Sequence, residues 1–399
     1  MQIKLPFFTL LLLISFASVN AVLFTPALPD IAHFFSIGED AAQQTITLFL
    51  VGYALGQLIY GPIANRFGRK PALYAGISLQ IVSSVLCVLA GIIHQYWLLV
   101  IARFLLALGS GVGLKMTFTL VNECYEPKTA SEKISYLLLA FAITPALGVA
   151  LGGLLNTYYG WMSCFCAGAF YGLIVLFFAT RLPETQSTLN LNALKIRHLL
   201  TDYSNQFKNK QLIAGGLLMG SATSFVYAFA TIAPFIAINV FGLTSAEYGM
   251  ANLIPPFGLI LGSIIGARLS KKYDLESIIR AGVIIISFGA IIMFIAMLTQ
   301  RHLMFSLFLP MIIIYFGSCF IQANASTIAI SNASDKAHGS AVMSFINMGL
   351  ATCVVLSTGL FSMTTLLLPS IYIMLCFIMV GCLKLLMRKN NPLNLRAYH

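Results

Sequence analysis

Runs of about 20 apolar residues, the length that crosses a bilayer as a helix, recur along the whole chain and restrict its fold more than any single motif. They occupy 6–28, 43–63, 72–93, 97–120, 134–155, 161–180, 211–237, 248–267, 277–298, 303–330, 340–364 and 369–387. Membrane-barrel strands need only about 10 residues and alternate polar with apolar, a pattern these runs lack. Composition excludes a soluble fold: 59% of the 399 residues are hydrophobic and 9% are charged, against about 25% charged in soluble domains. The expected fold class is an all-α membrane protein, twelve transmembrane helices in two six-helix halves. The first run mimics a secretory signal peptide, with Lys4 ahead of it and small residues around Ala21. Reading it as an uncleaved span gives an even number of crossings.

Charge orients the crossings. The formal net charge is +11, and Lys and Arg near span ends resist translocation. Alternate connections hold the bases, among them Arg66, Arg69, Lys70, Lys128, Lys133, Arg181, Arg268, Lys271, Lys272 and Arg388. The opposite connections hold Arg301 alone, with Asp30, Glu39, Asp40 and Glu247. This pattern expects a multi-pass membrane protein with both termini cytoplasmic. It accounts for the positive charge without a nucleic-acid partner. Residues 182–210 are polar, carry both signs and separate six runs from six. The expected division is an N-terminal half (1–181), a cytoplasmic linker (182–210) and a C-terminal half with a short tail (211–399). Within the linker, 191–200 (LNALKIRHLL) reads either as an amphipathic surface helix or as solvated chain.

A tight basic turn, GPIANRFGRKP (61–71), joins the second and third runs. A degraded copy follows 205 residues later, with Gly61 matched by Gly266, Asn65 by Ser270, Arg66 by Lys271, and Pro29 by Pro234. Parallel repeats of six spans are a transporter architecture. With PALPDIA (26–32), VGYALGQLIYGPIANRFGRKP (51–71), RFLLALGSGVG (103–113), TPALGVALGG (144–153), LPET (182–185) and GSAVMSFINM (339–348), the chain resembles the major facilitator superfamily. Within it, the chain is similar to the drug-resistance branch that includes bicyclomycin and chloramphenicol resistance proteins. The resemblance implies a secondary active transporter of a bacterial inner membrane, moving a small amphiphilic solute by alternating access, as in drug efflux. It also implies a gate at Gly61, Asn65, Arg66, Gly68 and Arg69, and a hinge at Pro145, Gly148 and Gly152. The chain departs from the family pattern at several places. Asn65 stands where the basic turn usually carries an acid, and Val22 where the first span does. Phe118 and Asn122 replace bases late in the fourth span, Leu106 replaces an amide, and Lys115 is an additional base.

Two bases, Arg103 and Lys115, fall inside a span. A central charge costs roughly 2.5–3.5 kcal/mol on the insertion scale, so Arg103 either lines a cavity or gate or ties down backbone carbonyls. Lys115 lies near enough to a span end to snorkel instead. The uncharged polar candidates for solute contact are Asn20, Tyr53, Tyr227, Asn252, Gln322, Asn324 and Asn347, each also able to join helix to helix. Glu123 and Asp30, at span ends, are the proton-coupling candidates. The eight cysteines form no CxxC pair, and no metal-ligand cluster, phosphate loop or nucleophile–base pair is present. The chain is therefore expected to be no enzyme, to need no cofactor or metal, and to act as a monomer. Its expected partners are a small-molecule substrate and the bilayer, with the proton as candidate coupling ion. An alternative keeps the fold but takes an anionic metabolite or a carboxylate-type metal chelate such as a siderophore. It rests on two intramembrane bases without an intramembrane acid. The orientation is checked by reporter fusions at residue 200 and after Arg388: a periplasm-dependent reporter should be inactive at both, and activity at either reverses the topology.

Overall fold

The computed structural model of the chain describes residues 5–186, 206–270, 272–299, 303–331, 336–361 and 364–387. Most of the linker and the expected helix at 191–200 lie outside the described residues. The crossings are labelled α1 (Phe7–Phe35), α2 (Glu39–Phe67), α3 (Arg69–Ile92), α4 (Tyr96–Cys124), α5 (Pro127–Tyr159), α6 (Met162–Thr180), α7 (Lys210–Val240), α8 (Ser245–Leu269), α9 (Leu275–Leu298), α10 (Leu303–Ser331), α11 (Lys336–Thr358) and α12 (Leu367–Met387). Ten of the twelve are long and apolar enough to cross a membrane. The other two are the 33-residue α5 and α11, whose apolar part is Val342–Thr358. Several helices outrun their apolar runs because polar first turns extend them. Glu39 and Asp40 open α2, where acids oppose the positive end of the helix dipole. Thr244 and Glu247 form a capping box at the start of α8.

Four crossings are interrupted. In α1 the helix stops at Val22 and resumes at Leu28, with a 3₁₀ turn at Thr25–Ala27 around Pro26. The helix of α4 hesitates at Gly111. In α7, which contains Pro234, the last turn widens to a π-helix at Ile236–Val240. In α8 the helix stops at Ala251 and resumes at Pro256. Proline lacks the N–H that would continue the ladder, so Pro26, Pro234, Pro255 and Pro256 mark these sites from the sequence. Pro29 and Pro234, matched in the repeat, fall in the disturbed parts of α1 and α7.

Without a hydrophobic drive between helices in lipid, close approach depends on small residues. A methyl group on Gly56 of α2 would come within 2.7 Å of the Leu108 carbonyl oxygen of α4. On Gly249 of α8 it would come within 2.9 Å of the Val149 carbonyl oxygen of α5, so this seam joins the halves backbone to backbone. Gly109 and Gly113, four apart, serve different neighbours: Gly76 of α3 and Leu13 of α1.

The buried core divides unevenly along the membrane normal. Toward the ends that carry Phe35, Glu39 and Tyr159, here the far face, one apolar cluster runs from the N-terminal half into the C-terminal half, where it continues to Ile279, Ala325 and Leu386 near the opposite end. Toward the end that carries the Phe67–Arg69 turn, the basic face, a second cluster draws only on α1–α6 and its flanking residues, and a small third one only on the C-terminal half. The halves therefore share a core at one end and keep separate cores at the other.

Candidate functional site

Where the shared core gives out, a cavity of about 80 Å³ lies between the halves. Val22 of α1, Pro145 and Val149 of α5, Val226 and Phe229 of α7, Asn252 and Pro256 of α8, and Tyr315 of α10 line it. None of its lining residues is charged. Its polar side chains are Asn252 and Tyr315, and the Asn252 amide donates to the Tyr248 hydroxyl at 3.1 Å. Tyr53 of α2 lies within electrostatic reach of Tyr227, which lies within reach of Tyr315. A band of phenols thus crosses from one half to the other beside the cavity. Pro145, expected as a hinge, lines the wall, while α5 remains helical through it. Gly148 and Gly152 face Val19, Val22 and Leu23 of α1.

Arg103 lies outside that cavity. It is 1% exposed, and the break in α1 explains its position. Where a helix stops, its last carbonyls lose their intrahelical donors. Arg103 Nη1 donates to the Asn20 carbonyl at 3.0 Å and Nη2 to the Ala21 carbonyl at 3.5 Å. The Thr25 hydroxyl donates to the Val22 carbonyl at 2.9 Å. The cation also sits at the negative end of the first part of α1, and the rings of Phe24 and Phe49 lie 3.8 and 4.4 Å from its central carbon. Arg103 thus holds backbone carbonyls, one of its two sequence readings, and it also lines a small cavity of about 10 Å³ with Asn20, Ser84 and Cys164. Asn20 belongs to the same assembly: Gln80 of α3 donates to Asn20 Oδ1 at 2.8 Å, to Ser84 Oγ at 3.0 Å and to the Gly168 carbonyl of α6 at 3.1 Å. Gln80, fully buried, was not singled out in the sequence, although an amide inside an apolar run marks it.

At the basic face Arg69 pairs with Glu123, Nη2 to Oε1 at 2.6 Å, and Nη1 donates to Asn65 Oδ1 at 2.8 Å. Gly68 ends α2 at φ 106°, a conformation that favours glycine. The turn presents the first N–H groups of α3 to Glu184: its carboxylate accepts from Arg69 N at 2.9 Å and Lys70 N at 3.0 Å. Burial alone would raise the Glu184 pKa, but donation from the backbone N–H groups of Arg69, Lys70, Gln186 and Thr185 holds it below the ordinary value of 4.5. The negative charge that Asn65 cannot supply thus comes from Glu123 and Glu184. Arg66 extends over the Phe67 ring. Gly61 faces the stem of Lys115, which is half-buried between α4 and α2.

The far face is sealed between halves. Asn156 of α5 donates to Asp30 of α1 and to the Ser245 hydroxyl of α8 at 2.9 Å, and Ser245 donates to the Pro26 carbonyl at 3.1 Å. Thr358 of α11 donates to Gln43 of α2 at 2.6 Å. Asn239 donates to Glu39 at 2.7 Å. The remaining candidates scatter within the C-terminal half. Gln322 joins α10 to Thr223 of α7 at 2.9 Å, Asn324 accepts from Ser270 at 3.4 Å, and Asn347 Oδ1 is buried without a partner among the described residues. Among the described residues no group of side chains could hold a metal ion.

A family model described as Major Facilitator Superfamily matches residues 10–356. Similar proteins include multidrug resistance protein D of Escherichia coli strain K12, 27% identical over 66% of this chain and 66% of its own length. The multidrug transporter MdfA of Shigella boydii serotype 4 is 27% identical over 84% of this chain and 81% of its own length. The bicyclomycin resistance protein homolog of Haemophilus influenzae is 23% identical over 65% and 64%. The chain thus spans just under two thirds of several of these relatives. Among solved structures, a D-xylose–proton symporter superposes with a TM-score of 0.74 at 14% identity, covering 94% of this chain and 96% of that one. An inward-open xylose transporter XylE from E. coli gives 0.73 at 13%, covering 96% and 98%. These two likenesses establish the fold. The Glu184 cap makes a test available. A carboxylate with a depressed folded pKa stabilises above its unfolded pKa and stops doing so as pH falls through the folded value. Glu184→Gln should therefore lower the melting midpoint of the detergent-solubilised protein at neutral pH. That gap should close as pH falls below the ordinary carboxylate range, and a gap that persists unchanged there contradicts the cap.

Proposed function

Because the chain belongs to the Major Facilitator Superfamily, we propose that it is a secondary transporter of the inner membrane that exports a small, uncharged amphiphile by alternating access. The observation that carries this reading is the uncharged, largely apolar cavity at the junction of the halves, with Asn252 and Tyr315 as its hydrogen-bonding groups. Multidrug-resistance relatives support efflux as the direction. With the basic face cytoplasmic, the sealed far face is the outer gate. The separate cores then flank a cleft that opens inward, and residues 1–181 and 211–399 are the bodies that rock about it. In this reading Arg103 is a strut that fixes the broken part of α1 beside the cavity, and the turn from Gly61 to Arg69 is the inner gate. The anionic alternative is the weaker reading, since Arg103 donates to the Asn20 and Ala21 carbonyls and lies against the rings of Phe24 and Phe49, with its Nε left without a partner among the described residues.

Val22 makes the reading testable, because it faces the cavity where relatives in the resembled branch carry an acid. A carboxylate about 4 Å from a monovalent cation is worth several kcal/mol even at an effective dielectric of about 20. In proteoliposomes the parent should move chloramphenicol and leave tetraphenylphosphonium and benzoate behind. Val22→Asp should raise tetraphenylphosphonium binding by about tenfold or more, the equivalent of 1.4 kcal/mol. A parent that moves benzoate preferentially reinstates the anionic reading. Under an imposed pH gradient, Glu123→Gln and Asp30→Asn identify which carboxylate, if either, couples flux to protons.

A further inference from the structure

A second cavity, of about 220 Å³, lies at the α5–α8 seam, where Leu147 and Phe257 are more than half exposed to the membrane. Its other lining residues, including Ile143, Leu253 and Ile260, are also apolar. The groove sits near the middle of both helices, so its outer side faces hydrocarbon. Ala146 and Pro256 line both this groove and the central cavity. The wall between bilayer and cavity is therefore thin there, and it is made of one small side chain and one proline ring. Both helices are weakened at the same depth: α5 contains Pro145, and α8 is interrupted just before Pro256. Toward the far face the same seam is bound tightly, through Gly249 and the Asn156–Ser245 contact. An intact contact above a thin wall leaves one stretch of the seam able to part.

We infer that the α5–α8 seam is a lateral gate through which an uncharged amphiphile already dissolved in the bilayer reaches the central cavity. This rests on the transport reading above and adds the route and the source of the solute. Apolar groups lining the groove favour a solute that partitions into lipid, and a charged solute would lose its hydration on that path. Once inside, the solute meets Asn252 and Tyr315, the polar groups of the central cavity.

The test uses the full-length protein in vesicles, with Nile red, a neutral lipid-dissolved dye, as probe. Leu147→Trp fills the mouth of the groove from the lipid side without lining the central cavity, and Phe257→Ala widens it. The rate at which vesicle-dissolved dye binds should fall several-fold in Leu147→Trp and rise or stay equal in Phe257→Ala. Equilibrium binding in detergent should match the parent for both, which also shows that the variants are folded. Parent-like rates in both variants overturn the lateral gate and leave the transport reading standing. A parent that binds no dye in either setting overturns the central cavity as a site for neutral amphiphiles, and the gate with it.

Discussion

A polypeptide inside hydrocarbon must satisfy its own carbonyls, and the middle of this protein depends on how it does so where helices stop. Hydrocarbon offers no water to an orphaned C=O, so a break in α1 at mid-membrane requires donors from elsewhere. Arg103 and Thr25 supply them. The desolvation cost of the buried guanidinium is offset by two carbonyls, two close aromatic rings and the end of a helix dipole. With α1 held in this broken form, Val22 is left against the cavity. The same logic recurs in α8, where two prolines interrupt the ladder and Asn252 turns to Tyr248 and the cavity.

The two faces are built for different tasks. At the far face the bonds cross between halves and are short, neutral or singly charged: Asn156 with Ser245, Thr358 with Gln43, Asn239 with Glu39. At the basic face the strongest pairings stay within the N-terminal half, with Arg69 on Glu123 and Glu184 on the start of α3. Contacts confined to one half rigidify that half without tying it to the other. This distribution suits two bodies that separate at the basic face while the far face is closed.

Much of this was legible in the sequence, for identifiable reasons. Span number followed from the apolar runs, a local property, whereas the breaks beside Pro26 in α1 and at Pro255 and Pro256 in α8 emerged with the structure. The basic turn was recognisable as a unit, but its acids were not: Glu184 was noted only within LPET, and Glu123 as a proton-coupling candidate at a span end rather than as the partner of Arg69. Their role depends on a contact between α3, α4 and the end of α6 that no spacing encodes. Arg103 could be named as costly, yet its partners are backbone carbonyls, which carry no side-chain signature. For the same reason Asn20, Gln322 and Asn324 could not be sorted into solute contact or interhelical bond until the helices were placed. Tyr315 was overlooked because a tyrosine in an aromatic-rich run looks like any other.

The central claim is that the halves exchange closure between the two faces around an uncharged cavity. Pairs of spin labels report this directly, in a background freed of native cysteines. One pair, at Phe67 and Tyr273, spans the basic face, and the other, at Ile93 and Leu360, spans the far face; all four positions are exposed. Distance distributions are measured by pulsed electron resonance with and without chloramphenicol. The account predicts a long basic-face distance with a short far-face distance in the resting protein, and a solute-dependent second population in which the two are reversed. Distances that change together, or a single unchanging population at both faces, would contradict it.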